Sequence, residues 1–207
     1  MIHDVFPVRI YKEQVNLTQE QKTVMREFLL AEFSSLQNNN HNLEQGGKSL
    51  FGVNSGLHLL EQFKPLVDQI HFHIEEYWEI MLFTESTDPK IIDMWANLHK
   101  EGASTVLHSH ANIITVGCYY LDFPEDSGNL IFKDPSEYTH HYLPYDFDGK
   151  NKYCWHELEI KENDLVLFPG HLQHQTGISK SNSNRISINF NIIMTDKQPE
   201  ILFEVGK

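Results

Sequence analysis

The residues of this 207-residue chain with the clearest capacity for chemistry are histidines in two short runs. His108 and His110 flank Ser109 in a segment with the residue pattern of a half-buried β-strand. Residues two apart on a strand point to the same side of the sheet, so both imidazoles would face one point. A third imidazole from a distant strand would complete a set of ligands on one face of a metal and leave other positions open. This pattern predicts a non-haem iron site that binds an oxidant and a substrate together.

Two histidines compete for the third ligand position. His171 and His174 both follow a short apolar strand at 164–168 and a Pro-Gly turn. Residues three apart on a strand face opposite sides, so only one of the two can join the upstream pair. His174 lies where a strand returning beside the first would place a ligand. The residues alone leave both histidines open as candidates.

A cation follows these histidines and could bind an anionic ligand. Arg185 opens a strand whose even-numbered residues are apolar and whose odd-numbered residues are Arg185, Ser187, Asn189 and Asn191. Such a polar row normally faces solvent, but after a metal ligand it can line a pocket at the mouth of a barrel. In that case Arg185 and Ser187 would bind a carboxylate, because a guanidinium forms paired, charge-assisted hydrogen bonds with carboxylate oxygens.

Composition limits the class of protein. The length predicts one domain spanning 1–207, and a hydrophobic content of 40% predicts a well-buried core. The 16 basic and 29 acidic residues leave a net charge of −13, which disfavours nucleic acid or an anionic membrane as a partner. Cys118 and Cys154 do not have the pattern of a disulfide scaffold. The two cysteines therefore favour a reducing, cytoplasmic location. Neither a signal-peptide pattern nor an apolar run of about 18 residues is visible in the sequence.

The N-terminal part, residues 1–88, is predicted to supply one strand and supporting helices. The strand lies at 5–11, and a first helix runs over 18–36 with a threonine as its N-cap and a capping-box glutamine. Residues 37–48, rich in Asn, Gln and Gly, predict a surface loop. A second helical segment over 57–83 has apolar residues at three- and four-residue steps, and a proline near its start begins or kinks a helix.

The remaining part, residues 89–207, consists of short β-branched or aromatic segments separated by turn residues. The candidate strands are 91–100, 105–110, 113–122, 128–133, 153–160, 164–168, 172–178 and 185–193. Helices followed by about eight strands predict an α+β, mainly β fold, with a sandwich or barrel backed by the early helices. Residues 134–152 form a long insertion between strands, which favours a functional lid or a substrate-binding loop.

The ordered motifs resemble the Fe(II)/2-oxoglutarate-dependent dioxygenases, in particular the prolyl-hydroxylase-like branch and a bacterial and phage group of 2OG-Fe(II) oxygenases. The motifs that carry this resemblance are Leu107-His108-Ser109-His110, Gly117-Cys118-Tyr119-Tyr120-Leu121, Ser127-Gly128-Asn129-Leu130, Leu167-Phe168-Pro169, His174 and Arg185-Ile186-Ser187. The opening strand and the start of the second helical segment are also similar, so the resemblance covers most of the chain. It implies a double-stranded β-helix, a cupin-like jelly roll backed by N-terminal helices, which agrees with the strand count.

The resemblance also implies roles for individual residues. The family's first metal ligand falls on His108 and its distal ligand on His174, with no catalytic side chain needed beyond the metal centre. The residues implied to bind 2-oxoglutarate are Arg185, Ser187, Tyr120 and Asn97, with His99 as the alternative to Asn97. The implied cofactor is Fe(II), and the implied cosubstrates are 2-oxoglutarate and O2.

One ligand departs from the family pattern. The family's second ligand is usually an aspartate or glutamate, and here that position is His110. A neutral imidazole leaves the Fe(II) site more positive by one charge and changes its redox behaviour. Three imidazoles also suit Zn(II). A cupin-like three-histidine metalloenzyme that does not use 2-oxoglutarate and a non-catalytic metal-binding jelly-roll module therefore remain as alternatives.

The function implied by the resemblance is a 2-oxoglutarate-dependent hydroxylase. It would hydroxylate a protein side chain of prolyl type or a small molecule, with conversion of 2-oxoglutarate to succinate and CO2. The partners are therefore a small-molecule cosubstrate and a peptide or small-molecule substrate. Exposed strand edges of a jelly roll also favour a homodimer.

Overall fold

The computed structural model describes residues 7–36, 41–81, 87–136 and 154–196. The helices are α1 (Gln19–Ser35) and α2 (Lys64–Ile80), with two short 3₁₀ turns at Leu57–Leu59 and Glu61–Phe63. The strands are β1 (Tyr11–Gln14), β2 (Lys48–Ser49), β3 (Thr87–His99), β4 (Thr115–Asp122), β5 (Leu130–Lys133), β6 (Trp155–Leu158), β7 (Asp164–Pro169), β8 (His174–Thr176) and β9 (Arg185–Asp196). From residue 137 on, the predicted insertion 134–152 lies outside the described residues.

The strands form two antiparallel sheets. The larger sheet has the order β1-β7-β4-β9-β3-β2 and the smaller has the order β6-β5-β8. Their inner faces meet through apolar side chains, since Phe132 of β5 contacts Phe168 of β7 edge-on at 4.9 Å between ring centroids. The α+β, mainly β prediction is confirmed.

The two faces of the larger sheet have opposite characters because side chains alternate along each strand. The even-numbered β9 residues Ile186, Ile188, Phe190 and Ile192 are buried in one cluster with the apolar faces of both helices. The odd-numbered residues face the other sheet, where a cavity opens between the two. The helices therefore cover one side of the sheet, and the predicted polar row lies on the side away from solvent.

Local sequence signals explain how both helices begin. Thr18 caps α1: its hydroxyl accepts from the Gln21 main-chain N–H at 3.2 Å, and the Gln21 side chain accepts from the Thr18 N–H at 2.9 Å. This is the predicted capping box. Pro65 lies in the first turn of α2, where its missing N–H costs no helical hydrogen bond. No helix in the described part of the chain is long and apolar enough to cross a membrane.

Three predictions about elements are wrong in detail. Residues 7–10 of the predicted opening strand are not in a strand, and pairing begins at Tyr11. The predicted strand 105–110 contains only two isolated bridges, from Thr105 to Leu43 and from His108 to His174 of β8. The segment 37–48 is not only a surface loop. In its described part, residues 41–48, Leu43 is 4% exposed and forms a bridge with Thr105.

The close approach of β4 to β9 gives a test of this packing. Gly117 lies opposite Phe190, and an added Cβ at Gly117 would overlap the Phe190 ring. We expect Gly117→Ala to lower the free energy of unfolding by about 1–3 kcal/mol, the usual cost of overpacking. Each kcal/mol corresponds to about 2–4 °C in Tm for a chain of this size.

Gly56→Ala is the matched control for this thermal unfolding experiment. Its added Cβ would meet nothing closer than Leu59 Cδ1 at 3.8 Å. Adding Phe190→Leu to Gly117→Ala should recover part of the loss, since the smaller side chain makes room. Equal Tm values for Gly117→Ala and Gly56→Ala would contradict the described packing.

Candidate metal and cosubstrate site

Three histidines meet at one end of the cavity. His108 and His174 lie side by side, joined by reciprocal main-chain hydrogen bonds of 3.0 and 2.9 Å, and the His110 N–H donates to the Gly170 carbonyl at 2.9 Å. The three ring centroids are 4.3 to 5.3 Å apart. One nitrogen from each ring lies within 4.8 Å of the others. The structure thus brings together the three predicted ligands from two distant segments.

Each of these imidazoles has its Nδ1 next to an oxygen that can only accept a hydrogen bond. The contacts are His108 Nδ1 to Val106 O at 2.8 Å, His174 Nδ1 to Leu172 O at 2.9 Å and His110 Nδ1 to Asn191 Oδ1 at 2.6 Å. A neutral imidazole that donates from Nδ1 has its lone pair on Nε2. All three rings are therefore held in the tautomer that leaves Nε2 free to bind a metal.

Burial also keeps these rings neutral. Desolvation lowers the pKa of His108, lowers that of His110 to about 4 and lowers that of His174 to about 3. A metal ligand must be unprotonated, so a lowered pKa favours metal binding at neutral pH. The donor set is three uncharged nitrogens.

The orientation of the Asn191 amide is set by a carboxylate on the neighbouring strand. Asp93 lies opposite Asn191 in the β3–β9 pairing. Burial raises the pKa of Asp93, and hydrogen bonding from the Asn191 side chain and main chain lowers it. Because the side-chain NH2 faces Asp93, the amide oxygen is left to face His110. A short relay therefore connects a carboxylate to the second candidate ligand.

Arg185 lines the same cavity and is buried without an anionic partner. It is 2% exposed, and its Nη1 donates to the carbonyls of Gly128 at 2.8 Å and Ser127 at 3.3 Å. Its Nε has no hydrogen-bond partner, and no carboxylate lies within ion-pair distance, among the residues that the structure describes. Burial lowers the pKa of Arg185, but a guanidinium remains charged at neutral pH. The arrangement suits an anion brought by a ligand.

The other predicted cosubstrate residues surround this guanidinium. The Tyr120 ring lies 5.5 Å from the Arg185 guanidinium carbon, and Ser187 is buried two residues further along β9. The Tyr120 hydroxyl and Asn97 Oδ1 are buried without partners in the described part of the chain. Burial raises the pKa of Tyr120 well above its ordinary value, so the hydroxyl stays a neutral donor.

The sequence left two alternatives open, His171 or His174 and Asn97 or His99, and in each pair only one residue lines the cavity. His174 is 6% exposed and lines the cavity, whereas His171 is exposed and does not. Asn97 also lines the cavity. His99 lies outside the lining, with its Nε2 2.9 Å from the Thr105 hydroxyl.

Sequence reasoning missed several residues of the cavity wall. Asp93 and Trp95 share the cavity-facing side of β3 with Asn97, so strand alternation from Asn97 could have found them. His41 and Phe51 also line the cavity, but they come from irregular segments. No periodic signal in the sequence points to those two.

Comparisons with known proteins agree with this geometry. Residues 93–191, just under half of the chain, match the model of a family described as "Putative 2OG-Fe(II) oxygenase". No curated protein matches the sequence. Among solved structures, the chain is similar to the non-haem α-ketoglutarate-dependent epimerase SnoN from nogalamycin biosynthesis. The TM-score is 0.65 at 13% identity, over 97% of this chain and 85% of that one.

Two further structures show the same fold. One is a Pseudomonas putida prolyl-4-hydroxylase, with a TM-score of 0.55 at 14% identity over 89% of this chain and 92% of that one. The other is HygX from Streptomyces hygroscopicus with nickel, 2-oxoglutarate and hygromycin B bound. Its TM-score is 0.59 at 8% identity, over 89% of this chain and 82% of that one. At these identities the likeness shows the fold, which confirms the predicted double-stranded β-helix.

The family match and the fold confirm the resemblance to the Fe(II)/2-oxoglutarate-dependent dioxygenases. The matched family consists of 2-oxoglutarate-dependent oxygenases, which are oxidoreductases, and the fold of this chain is the fold of such enzymes. The family implies Fe(II) and 2-oxoglutarate, and the chain offers a histidine triad as the candidate metal site.

Proposed function

We propose that this protein is an Fe(II)- and 2-oxoglutarate-dependent hydroxylase whose iron is held by His108, His110 and His174. The observation that carries the proposal is the buried Arg185, which lines the same cavity as the three histidines and has no carboxylate partner among the described residues. A buried charge without a counter-ion is costly, so its place in the cavity is best explained by an anionic ligand. A metal site that did not use 2-oxoglutarate would leave this cation without a role.

The residues present fit both absent groups. Three neutral imidazoles with free Nε2 atoms suit Fe(II), although they suit Zn(II) as well. The distal carboxylate of 2-oxoglutarate would pair with Arg185, and the hydroxyls of Ser187 and Tyr120 would complete its hydrogen bonds. Asn97 would face the cosubstrate with its unpartnered oxygen, which can accept from a bound water or a substrate hydroxyl.

The protein's own residues orient and desolvate the reactants. Bound Fe(II) would supply the oxidative chemistry, in which O2 and 2-oxoglutarate are consumed, succinate and CO2 are released and the substrate is hydroxylated. The Nδ1 acceptors hold the imidazoles in one tautomer and one orientation. The cavity of about 350 Å³ between the sheets limits water around them. No side chain needs to act as an acid or a base.

The substrate class is part of the proposal. The similar structures include a prolyl-4-hydroxylase and an enzyme solved with hygromycin B bound, so this fold accommodates both protein and small-molecule ligands. We propose a protein side chain or a small molecule as the substrate. We also propose a cytoplasmic location, on the basis of the composition.

An anaerobic titration tests the proposed function. Wild-type protein mixed with Fe(II) and 2-oxoglutarate should develop a visible charge-transfer band that is absent with either component alone. Bound Fe(II) without a band would favour a three-histidine metalloenzyme that does not use 2-oxoglutarate. Failure to bind Fe(II) at all would favour a non-catalytic module.

The hydrogen bond from His110 to Asn191 provides a second test. Asn191→Ala removes the acceptor that fixes the His110 tautomer, and loss of such an outer-shell partner typically costs about 10- to 100-fold in metal affinity. We expect a loss of that size in Co(II) affinity, measured by spectroscopic titration. Asn189→Ala is the control, since Asn189 lies in the same polar row but makes no contact with the three rings that the structure records. Equal affinities of the two variants would contradict the role of Asn191.

A further inference from the structure

A second polar site lies at the His110 end of the cavity. A β-bulge at Ile92 shifts the register between Ile91 and Asp93, so that Ile92 is 40% exposed and Asp93 lines the cavity. Bulges commonly re-aim a side chain next to a functional site. Asp93 belongs to no metal-ligand cluster in the described residues, so it is available for another ligand.

The Asp93 carboxylate is only partly satisfied by the protein. Asn191 donates hydrogen bonds to it, but Oδ1 is buried without a partner in the described part of the chain. Desolvation raises the pKa of Asp93, while hydrogen bonding from Asn191 and the nearby His58 lower it. Burial lowers the pKa of His58, so that imidazole is neutral at neutral pH, and a cationic ligand would stabilise the ionised Asp93 carboxylate. The side-chain nitrogen of Asn189, two residues from Asn191 on β9, is likewise buried without a partner. Two residues that line one cavity therefore each carry a polar atom, one acceptor and one donor, without a partner in the described part of the chain.

An aromatic wall lies beside these two atoms. Trp95 is 6% exposed and stacks against His110 with 6.2 Å between ring centroids. Phe51 packs edge-on against Trp95 at 4.9 Å, and His41 stacks on Phe51 at 4.4 Å. Aromatic faces attract cations as well as flat or apolar groups. The wall continues from the candidate metal ligand towards the exposed His41.

We propose that Asp93, Asn189 and the Trp95–Phe51–His41 wall form the substrate subsite, and that the substrate carries a protonated amine or guanidinium on a flat or apolar body. The inference rests on the proposed function, because the metal's position is what makes this end of the cavity the place of reaction. The cation pairs with Asp93 while the body lies on the wall, and Asn189 donates to an acceptor on the substrate. The net charge of −13 favours the approach of a cation.

Binding of 2-phenylethylamine, compared with the uncharged 2-phenylethanol, tests this subsite. Both probes carry the same ring, and only the amine carries the charge. Binding is followed by the indole N–H resonance of Trp95 in a heteronuclear NMR spectrum, where the three tryptophans give three signals and Trp95→Phe assigns the relevant one. We expect the amine to bind wild type about tenfold more tightly than the alcohol, as for one charge-assisted hydrogen bond.

Asp93→Asn should remove this preference, and Asp68→Asn should retain it. Asp68 lies on the exposed side of α2, paired with Lys64, so its variant changes the net charge equally without touching the cavity. A tenfold preference that survives in Asp93→Asn, or equal binding of the two probes to wild type, would overturn the proposal. The titration is made on metal-free and on Zn(II)-loaded protein. A preference in the metal-free protein supports the subsite even if no metal binds, so failure of the proposed function is distinguishable from failure of this inference.

Discussion

Replacing Arg185 by methionine should weaken 2-oxoglutarate binding by at least about 30-fold while leaving the metal site intact. No carboxylate of the described residues pairs with this guanidinium in wild type. A carboxylate of the cosubstrate would therefore be its anionic partner. Loss of one partner from a buried charge pair costs about 2–5 kcal/mol, so the Kd for 2-oxoglutarate should rise at least about 30-fold. Isothermal titration of Zn(II)-loaded protein with 2-oxoglutarate measures this directly.

Thermal unfolding gives an independent measurement of the same effect. A ligand at a hundred times its Kd stabilises the folded state by about 2.7 kcal/mol, which corresponds to a rise of roughly 5–11 °C in Tm at this chain length. We expect that rise in wild type. In Arg185→Met the same ligand concentration is only about three times a Kd raised about 30-fold, so the stabilisation should be about 0.9 kcal/mol or less, a rise of roughly 2–3 °C at most. Arg185→Lys should show an intermediate rise, because the ammonium retains the charge but lacks the paired donors of the guanidinium.

Arg26→Met is the matched control for this experiment. Arg26 pairs with Asp122 on the outside of the larger sheet, so its loss changes the net charge equally but removes no cavity residue. It should keep the full Tm rise with 2-oxoglutarate. If Arg185→Met showed the same rise, the cosubstrate would not be held by Arg185.

Strand alternation explains which parts of the site could be predicted. Arg185, Ser187 and Asn191 share one face of a long strand, so locating that face towards the cavity places all of them. The alternative, that the polar row faces solvent, was excluded only by the structure. The helices cover the apolar face of the sheet, and this three-dimensional packing has no local sequence signal.

The structure brings His108 and His110 together, but not through the β-strand that the sequence predicts. His108 and His110 point into the cavity, but the only strand-like pairing there is the bridge from His108 to His174. The position of His110 depends instead on hydrogen bonds to Gly170 and Asn191. Such contacts join residues that are 60 or more positions apart in the chain, and no periodic pattern reports them. His41 and Phe51 were missed for the same reason.

The relay from Asp93 through Asn191 favours a hydrogen-bond donor at position 110, where the sequence resemblance implies a carboxylate. The Asn191 NH2 is committed to Asp93, so its oxygen faces position 110 and requires a donor there. The imidazole Nδ1–H is such a donor. A carboxylate at position 110 would place two acceptors together, or force the amide to turn and oppose Asp93 instead.

This relay predicts how substitutions at position 110 behave. His110→Ala removes a ligand and should cost more Co(II) affinity than the approximately 10- to 100-fold lost with an outer-shell partner. His110→Glu reaches about as far from the main chain as imidazole Nε2, yet it should recover only part of that affinity because the carboxylate meets the Asn191 oxygen.

A second substitution that removes the repulsion between the introduced carboxylate and the Asn191 oxygen should restore Co(II) affinity to His110→Glu. In the double variant His110→Glu/Asp93→Asn, the Asn191 amide can turn and donate to the new carboxylate, because the amide introduced at position 93 can donate to the turned oxygen. Co(II) titrations of wild type, His110→Glu, Asp93→Asn and the double variant give the coupling energy between positions 93 and 110. We expect about 0.5–3 kcal/mol, the range for residues in one hydrogen-bond network. Additive effects would mean that Asp93 does not set the orientation of Asn191. A glutamate that binds Co(II) as tightly as wild type without the second change would mean that the site accepts a carboxylate as readily as an imidazole.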